Sequence, residues 1–220
     1  MTNSTPPDSG INWSLTHVRD RALDPFILAS VKEGDRVLDL GCGVGDLLLR
    51  IKEEKTAVEK GVEIEGSLAA EAISKGLSVI QGDIQENILD LGDDSFDLVI
   101  LNQVIPVVRE PVGVLLESLR VGRRVVVTFP NFAYWRTRSY LYWHGRLPVT
   151  PSLPYQWYDT PNIRLVTIKD FRALCSDRNI TVLKEGYITL TGDRSARPIR
   201  MWPNFRASSA MFLLAAPGRS

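Results

Sequence analysis

Apolar and polar positions along this chain follow two alternating patterns, and the switch between them lays out an architecture. Val37, Leu38 and Leu40 form a short apolar run of the kind a buried parallel strand needs. The stretches 58–64, 77–81, 96–101 and 124–129 read as four further strands. Between them, 46–53, 67–75 and 111–121 mix apolar and charged residues as helices do. Gly76 and Gly122 stand where a helix end favours glycine, and Pro111 suits a first turn. Thr167 to Asn179 reads as an amphipathic helix with Ile168, Phe171, Leu174 and Cys175 on one side, which puts Cys175 in the core. Stretches 181–190 and 210–215 read as closing strands, with a basic loop from Arg194 to Arg206 between them. Residues 11–31 predict one or two helices on the sheet edge, with His17 solvated or capping. The sum is a doubly wound α/β sheet of seven strands, mostly parallel, with the last strand antiparallel.

The chemistry concentrates where the first strand ends. Gly41, Gly43 and Gly45 follow Asp39 and Leu40 at alternate positions, and a helix begins at Asp46. Glycine adopts turn conformations that a Cβ disfavours and lets a ligand approach the backbone. A strand, a glycine-rich turn and a helix start make a nucleotide-binding corner. The dinucleotide fingerprint would need glycine at 46, where Asp46 stands, and a carboxylate there would repel a pyrophosphate. A phosphate-cradling Walker loop is excluded because no Gly-Lys-Ser/Thr follows. The run Asp39 to Gly45 resembles motif I of class I S-adenosylmethionine (SAM) methyltransferases, whose ligand carries a sulfonium and no phosphate. The alternative is a tight strand–helix turn that holds no ligand.

Glu63 ends the second strand about 20 residues beyond the loop. An acid there can accept hydrogen bonds from both ribose hydroxyls; the alternative is a solvated glutamate. Asp83 follows the third strand, where the resembled methyltransferases bond the adenine amino group. Asn102 ends the fourth strand, beside the expected sulfonium.

Net charge is zero, so no global attraction to nucleic acid or anionic membrane is indicated. No apolar run approaches the roughly 18–20 residues that span a bilayer. Two cysteines form neither a metal-ligand spacing nor a disulfide framework, and the polar start lacks the apolar core of a signal peptide. A cytoplasmic protein is expected. Its first 30 residues read as a tail and helical extension ahead of one domain over 31–220, with a cap insertion around 130–165.

That insertion changes the picture. Between Ser118 and Tyr158 there is no acid, while every charged residue is arginine and aromatics crowd the stretch. Three readings stand side by side: a stacking surface for single-stranded nucleic acid, a protein interface, or a cap closing over a carboxylate-bearing small molecule. His144 reads as a general base or as a structural or surface residue.

The later segments carry a second, more specific resemblance. Phe129-Pro130-Asn131-Phe132 with Trp135-Arg136, Gly145-Arg146-Leu147-Pro148-Val149, Leu153-Pro154-Tyr155, Trp157-Tyr158, Thr160-Pro161-Asn162-Ile163 and Trp202-Pro203-Asn204 are long and uncommon combinations. Together with Val37 to Gly43 they resemble MetW-type methionine biosynthesis proteins over about residues 30–205. The resemblance implies a class I methyltransferase fold, a role in methionine biosynthesis, and homoserine O-acyltransferase as a partner. It implies SAM, or S-adenosylhomocysteine, held by Asp39, Gly41, Cys42, Gly43, Gly45, Glu63, Ile64, Asp83, Ile84 and Asn102. Val44 departs from the aspartate that the family often carries. No dedicated catalytic residue or metal site is evident, and the Asn/Asp-Pro-Pro-Tyr motif of amino-group methyltransferases is replaced by Asn102-Gln103-Val104-Ile105. The alternative function is a methyltransferase acting on a small molecule.

Overall fold

The computed structural model describes residues 21–190 and 196–218. The expectations for His17, and for a helix before residue 21, lie outside the described residues. Among the described residues eight strands form one sheet: β1 (Arg36–Leu40), β2 (Val58–Glu63), β3 (Val79–Gln81), β4 (Leu98–Asn102), β5 (Val125–Pro130), β6 (Thr181–Leu190), β7 (Ala196–Pro198) and β8 (Ser209–Ala215). Their order is β3-β2-β1-β4-β5-β8-β6-β7. The first five pair in parallel, and β8, β6 and β7 join antiparallel. Seven strands were expected; the eighth, β7, lies in the stretch read as a basic loop. That loop also contains the short helix Pro203–Arg206.

Alternate side chains of the central strands feed two opposite faces, which is why their sequences are apolar throughout. On one face Val37, Leu98, Ile100 and Val126 pack with Ile27 of α1 (Asp24–Leu28) and Leu47 and Ile51 of α2 (Asp46–Lys55). On the other, Leu38, Val99, Val125 and Phe129 pack with Leu115 of α5 (Pro111–Val121) and Phe171 of α7 (Ile168–Asp177). Helices α3 (Gly66–Ser74) and α4 (Ile84–Asn87) follow β2 and β3. Cys175 is buried in the second core, and burial, reinforced by the Glu185 carboxylate, pushes its thiol up to about 11. It is an inert core residue, as its place in the pattern implied.

Gly122 ends α5 with an extended backbone, φ −111°, not the left-handed turn its position suggested. Its role is spatial: a Cβ there would meet Val99 Cγ2 at 2.5 Å.

The stretch after β5 contains a helix that its proline-rich continuation had obscured, α6 (Trp135–His144). Of its ten residues only Thr137 is buried.

Candidate functional site

The strand order reverses direction between β1 and β4, and in open α/β sheets a ligand crevice lies outside the carboxyl ends of the strands at such a point. The residues singled out in the sequence converge at that end. Gly41, Gly43 and Gly45 all hold positive φ, at 75°, 58° and 76°, so each occupies a conformation that glycine favours. The corner is pinned to β2: the N–H groups of Gly41 and Cys42 both donate to Val62 O, at 2.7 and 3.1 Å. Gly45 then starts α2 without any side-chain cap, leaving the first-turn amides facing the loop.

Glu63 is buried at the end of β2 and turns toward the glycine loop. Its Oε2 accepts from the Gly43 N–H at 2.7 Å, and its Oε1 accepts from the Glu65 N–H at 3.0 Å. A carboxylate offers roughly four acceptor sites, so two remain for hydroxyl donors. The solvated alternative for Glu63 does not describe this geometry.

Asp39 is buried within β1, and Cys42 is buried against Gly61 of β2. A Cβ on Gly61 would meet Cys42 Sγ at 2.6 Å, so that glycine lets the corner sit close to its neighbouring strand. Ile64 is 53% exposed, an apolar side chain standing beside Glu63. Asp83 caps α4, its carboxylate accepting from the Gln85 N–H at 2.8 Å, and Ile84 packs on the core below. Asn102 is buried at the end of β4, where its Oδ1 accepts from the Thr128 hydroxyl at 2.6 Å. Neighbouring Gln103 sits at φ 59°, held there by Thr128 O and Oγ1 at 3.1 and 3.0 Å.

Sequence reasoning missed three supports of this crevice. Lys75 reaches under the loop and donates to Val44 O and Asp46 Oδ1, both at 2.8 Å, and to Glu71 at 3.0 Å. Burial lowers its pKa, but the carboxylate bonds outweigh that and the net shift is upward. Lys75 thus tempers the Asp46 charge at the helix start. Thr128 fixes Asn102 and Gln103, a pairing that only the β4–β5 register creates. Gln85 Oε1 accepts from the N–H groups of Arg109 and Glu110, tying α4 to the loop after β4. A lysine four residues after a glutamate on a helix was the one signal available for the first.

The uncommon segments also meet. Asn131 is buried; its Nδ2 donates to Asn204 O at 3.1 Å and Ala207 O at 2.8 Å, and its Oδ1 accepts from Ala133 N–H. Asn204 Oδ1 accepts in turn from Lys169 N–H, so Phe129–Phe132 and Trp202–Asn204 lock together at the head of α7. Farther out, the Ile163 and Arg164 N–H groups both donate to Pro106 O, and Arg164 clamps Val108 O and Arg109 O. His144 stacks on Tyr140 and contacts the Tyr140 carbonyl at the exposed end of α6. Among the described residues no helix is long and apolar enough to cross a membrane.

The family model described as methionine biosynthesis protein MetW matches residues 21–214. The chain is 35% identical over 194 residues to the bifunctional methionine biosynthesis protein MetXA/MetW of Rhodopirellula baltica, covering 84% of this chain and 31% of that protein. The chain therefore spans about a third of that relative's length. It is 26% identical to a demethylmenaquinone methyltransferase of Bacillus velezensis, over 82% of this chain and 84% of that one. Among solved structures, a SAM-dependent methyltransferase from Thermotoga maritima superposes with a TM-score of 0.67 at 17% identity, covering 92% of each chain. The last comparison bears on the fold alone.

Proposed function

We propose a function that proceeds from one premise: the chain belongs to the MetW family of methionine biosynthesis proteins. It binds SAM, or S-adenosylhomocysteine, at the glycine corner and acts as a partner or regulatory subunit of a homoserine O-acyltransferase. The observation that carries the ligand assignment is the Glu63 carboxylate, held against Gly43 with acceptor capacity to spare for two ribose hydroxyls. Asp83 takes the adenine amino group and Ile64 covers the adenine face. Asp39, Gly41, Cys42, Gly43 and Gly45 shape the wall for the methionine end. Ile84 backs the adenine pocket, and Asn102 stands beside the sulfonium.

The family supports the partner assignment, since in the Rhodopirellula baltica relative MetXA and MetW share one name and one chain. A pathway that ends in SAM gains control if its cofactor-like product is sensed by a subunit of an earlier enzyme. Such coupling is reciprocal: SAM and the acyltransferase must change each other's affinity by the same factor. The test is to purify the chain with and without homoserine O-acyltransferase and to measure acylation rate and SAM affinity. The reading expects a complex, a faster acylation rate and an altered SAM affinity. No complex, with neither quantity changed, contradicts it.

A second reading has its own observation. Gln103 is a non-glycine residue at φ 59° beside the crevice, and strained backbone of this kind clusters at active sites. Methyl transfer from a sulfonium is an in-line displacement that needs positioning and desolvation more than a catalytic acid or base. Labelled methyl incorporated from SAM into a small-molecule extract would favour this enzyme reading.

A further inference from the structure

The arginine-rich, aromatic stretch that the cofactor crevice does not use forms an outer face of the molecule. Helix α6 exposes Trp135, Tyr140, Leu141, Tyr142 and Trp143, the last two at 79% and 76%. Of the ten residues of this helix only Thr137 is buried, so most of its aromatic and aliphatic side chains stand in solvent with no core to pack on. The segment that follows adds Leu147, Val149, Trp157, Tyr158, Ile163 and Leu165, all exposed. Arg138 lies over the Phe205 ring at 5.9 Å, which carries the face on to exposed Met201 and Trp202. Large apolar side chains standing this far out of the core mark a surface that another molecule covers.

Its charge narrows the occupant. Arg136 and Arg146 are exposed among the rings, and no acid occurs from Ser118 to Tyr158. A groove of about 610 Å³ opens between the end of α6 and the following segment, lined by Tyr140, Arg146, Leu147, Val149, Trp157 and Tyr158. Such a groove suits an apolar side chain flanked by carboxylates. A second copy of this face would set arginine against arginine. Nucleic acid is disfavoured because the net charge of the chain is zero.

We propose that this face is the docking surface for the acyltransferase, whose complementary patch carries an apolar projection rimmed by acidic residues. The inference rests on the partner reading given above and adds where the partner sits. Trp, Tyr and Arg are the residue types that dominate binding energy at interfaces, and here they share one groove. The face is also continuous with the crevice: Ile163 and Arg164 are bonded to the 106–109 loop, and Gln85 ties that loop to the helix capped by Asp83.

The test is a calorimetric titration of the purified acyltransferase into the wild-type chain, Trp143→Ala, Trp157→Ala, Arg146→Glu, and, as a control, Glu53→Lys at an exposed position of α2. Melting temperatures of the free chains confirm folding, which these exposed positions leave intact. Each of the three face variants is expected to weaken the complex by about tenfold or more, while Glu53→Lys binds as wild type. If the wild-type chain binds and the face variants bind equally well, the docking surface is overturned and the partner reading stands. If the wild-type chain does not bind, both are overturned. Light scattering and a labelled single-stranded oligonucleotide complete the set. Self-association, or oligonucleotide binding, that the same three substitutions abolish gives the face to another occupant and overturns the proposal.

Discussion

The Gly43 N–H donates to Glu63 Oε2 at 2.7 Å, joining the middle glycine of the first loop to the acid that ends the second strand. One carboxylate thereby does two things. It satisfies a backbone donor that the left-handed turn at Gly43 leaves without a partner in the sheet, and it is fixed in direction before any ligand arrives. Preorganised acceptors lose less side-chain entropy on binding than mobile ones.

The close seat of the corner against β2 depends on Gly61. A Cβ there would meet Cys42 Sγ at 2.6 Å, Cys42 Cβ at 3.2 Å and Leu48 Cδ2 at 3.3 Å. Gly61→Ala is expected to destabilise the chain by about 1–3 kcal/mol, as overpacking does. Cys42→Ala in the same chain relieves the nearest clash and recovers part of the loss. Urea unfolding of the two single variants and the double variant measures this coupling.

The outer half of the sheet is tied to α7 by Arg172, which donates to both oxygens of Glu185 at 2.8 and 2.7 Å and to the Tyr187 hydroxyl at 2.6 Å. The bonds from Arg172 hold the Glu185 carboxyl below its ordinary range against the opposing effect of burial, and the Tyr187 hydroxyl adds to them. A depressed folded-state pKa stabilises the protein above the unfolded value, and that stability is lost as pH falls through the folded value. Glu185→Gln is therefore expected to cost about 1–2 kcal/mol at pH 7, with the difference from wild type shrinking as pH falls below about 4. Unfolding free energies measured across that range check it.

Arg164 donates to Val108 O at 2.7 Å and to Arg109 O, clamping the aromatic segment to the loop after β4. Arg164→Ala is expected to speed amide exchange across 106–110 and 157–165 while leaving β1 and β4 protected. The loss in global stability should be about 1–2 kcal/mol, the size of hydrogen bonds made by a charged group. Hydrogen-exchange mass spectrometry reads the local effect directly.

Much of this was legible in the sequence, for identifiable reasons. Strands β1, β4 and β5 are buried almost throughout, so their apolar runs stood out, and the three loop glycines each take the positive φ that their identity suggested. Gly122 was assigned to the right place for the wrong reason, because close approach to Val99 leaves no trace in composition. Strand β7 buries none of its residues, and helix α6 buries only Thr137, so neither shows a usable period. The Asn102–Thr128 bond depends on two strands becoming neighbours, which no local pattern encodes. The meeting of Asn131 with Asn204 is hidden for the same reason: its partners lie 73 residues apart.

The central claim is that the corner from Asp39 to Gly45 takes an adenosyl sulfonium whose sugar is held by Glu63. Calorimetric titration of SAM into the wild-type chain, Glu63→Ala and Glu63→Gln tests it most directly. The account predicts one site in the wild type, with affinity weakened about 10–100-fold in Glu63→Ala and weakened also in Glu63→Gln, where one acceptor oxygen is lost. Equal dissociation constants in all three, or no binding by the folded wild-type chain, would contradict it.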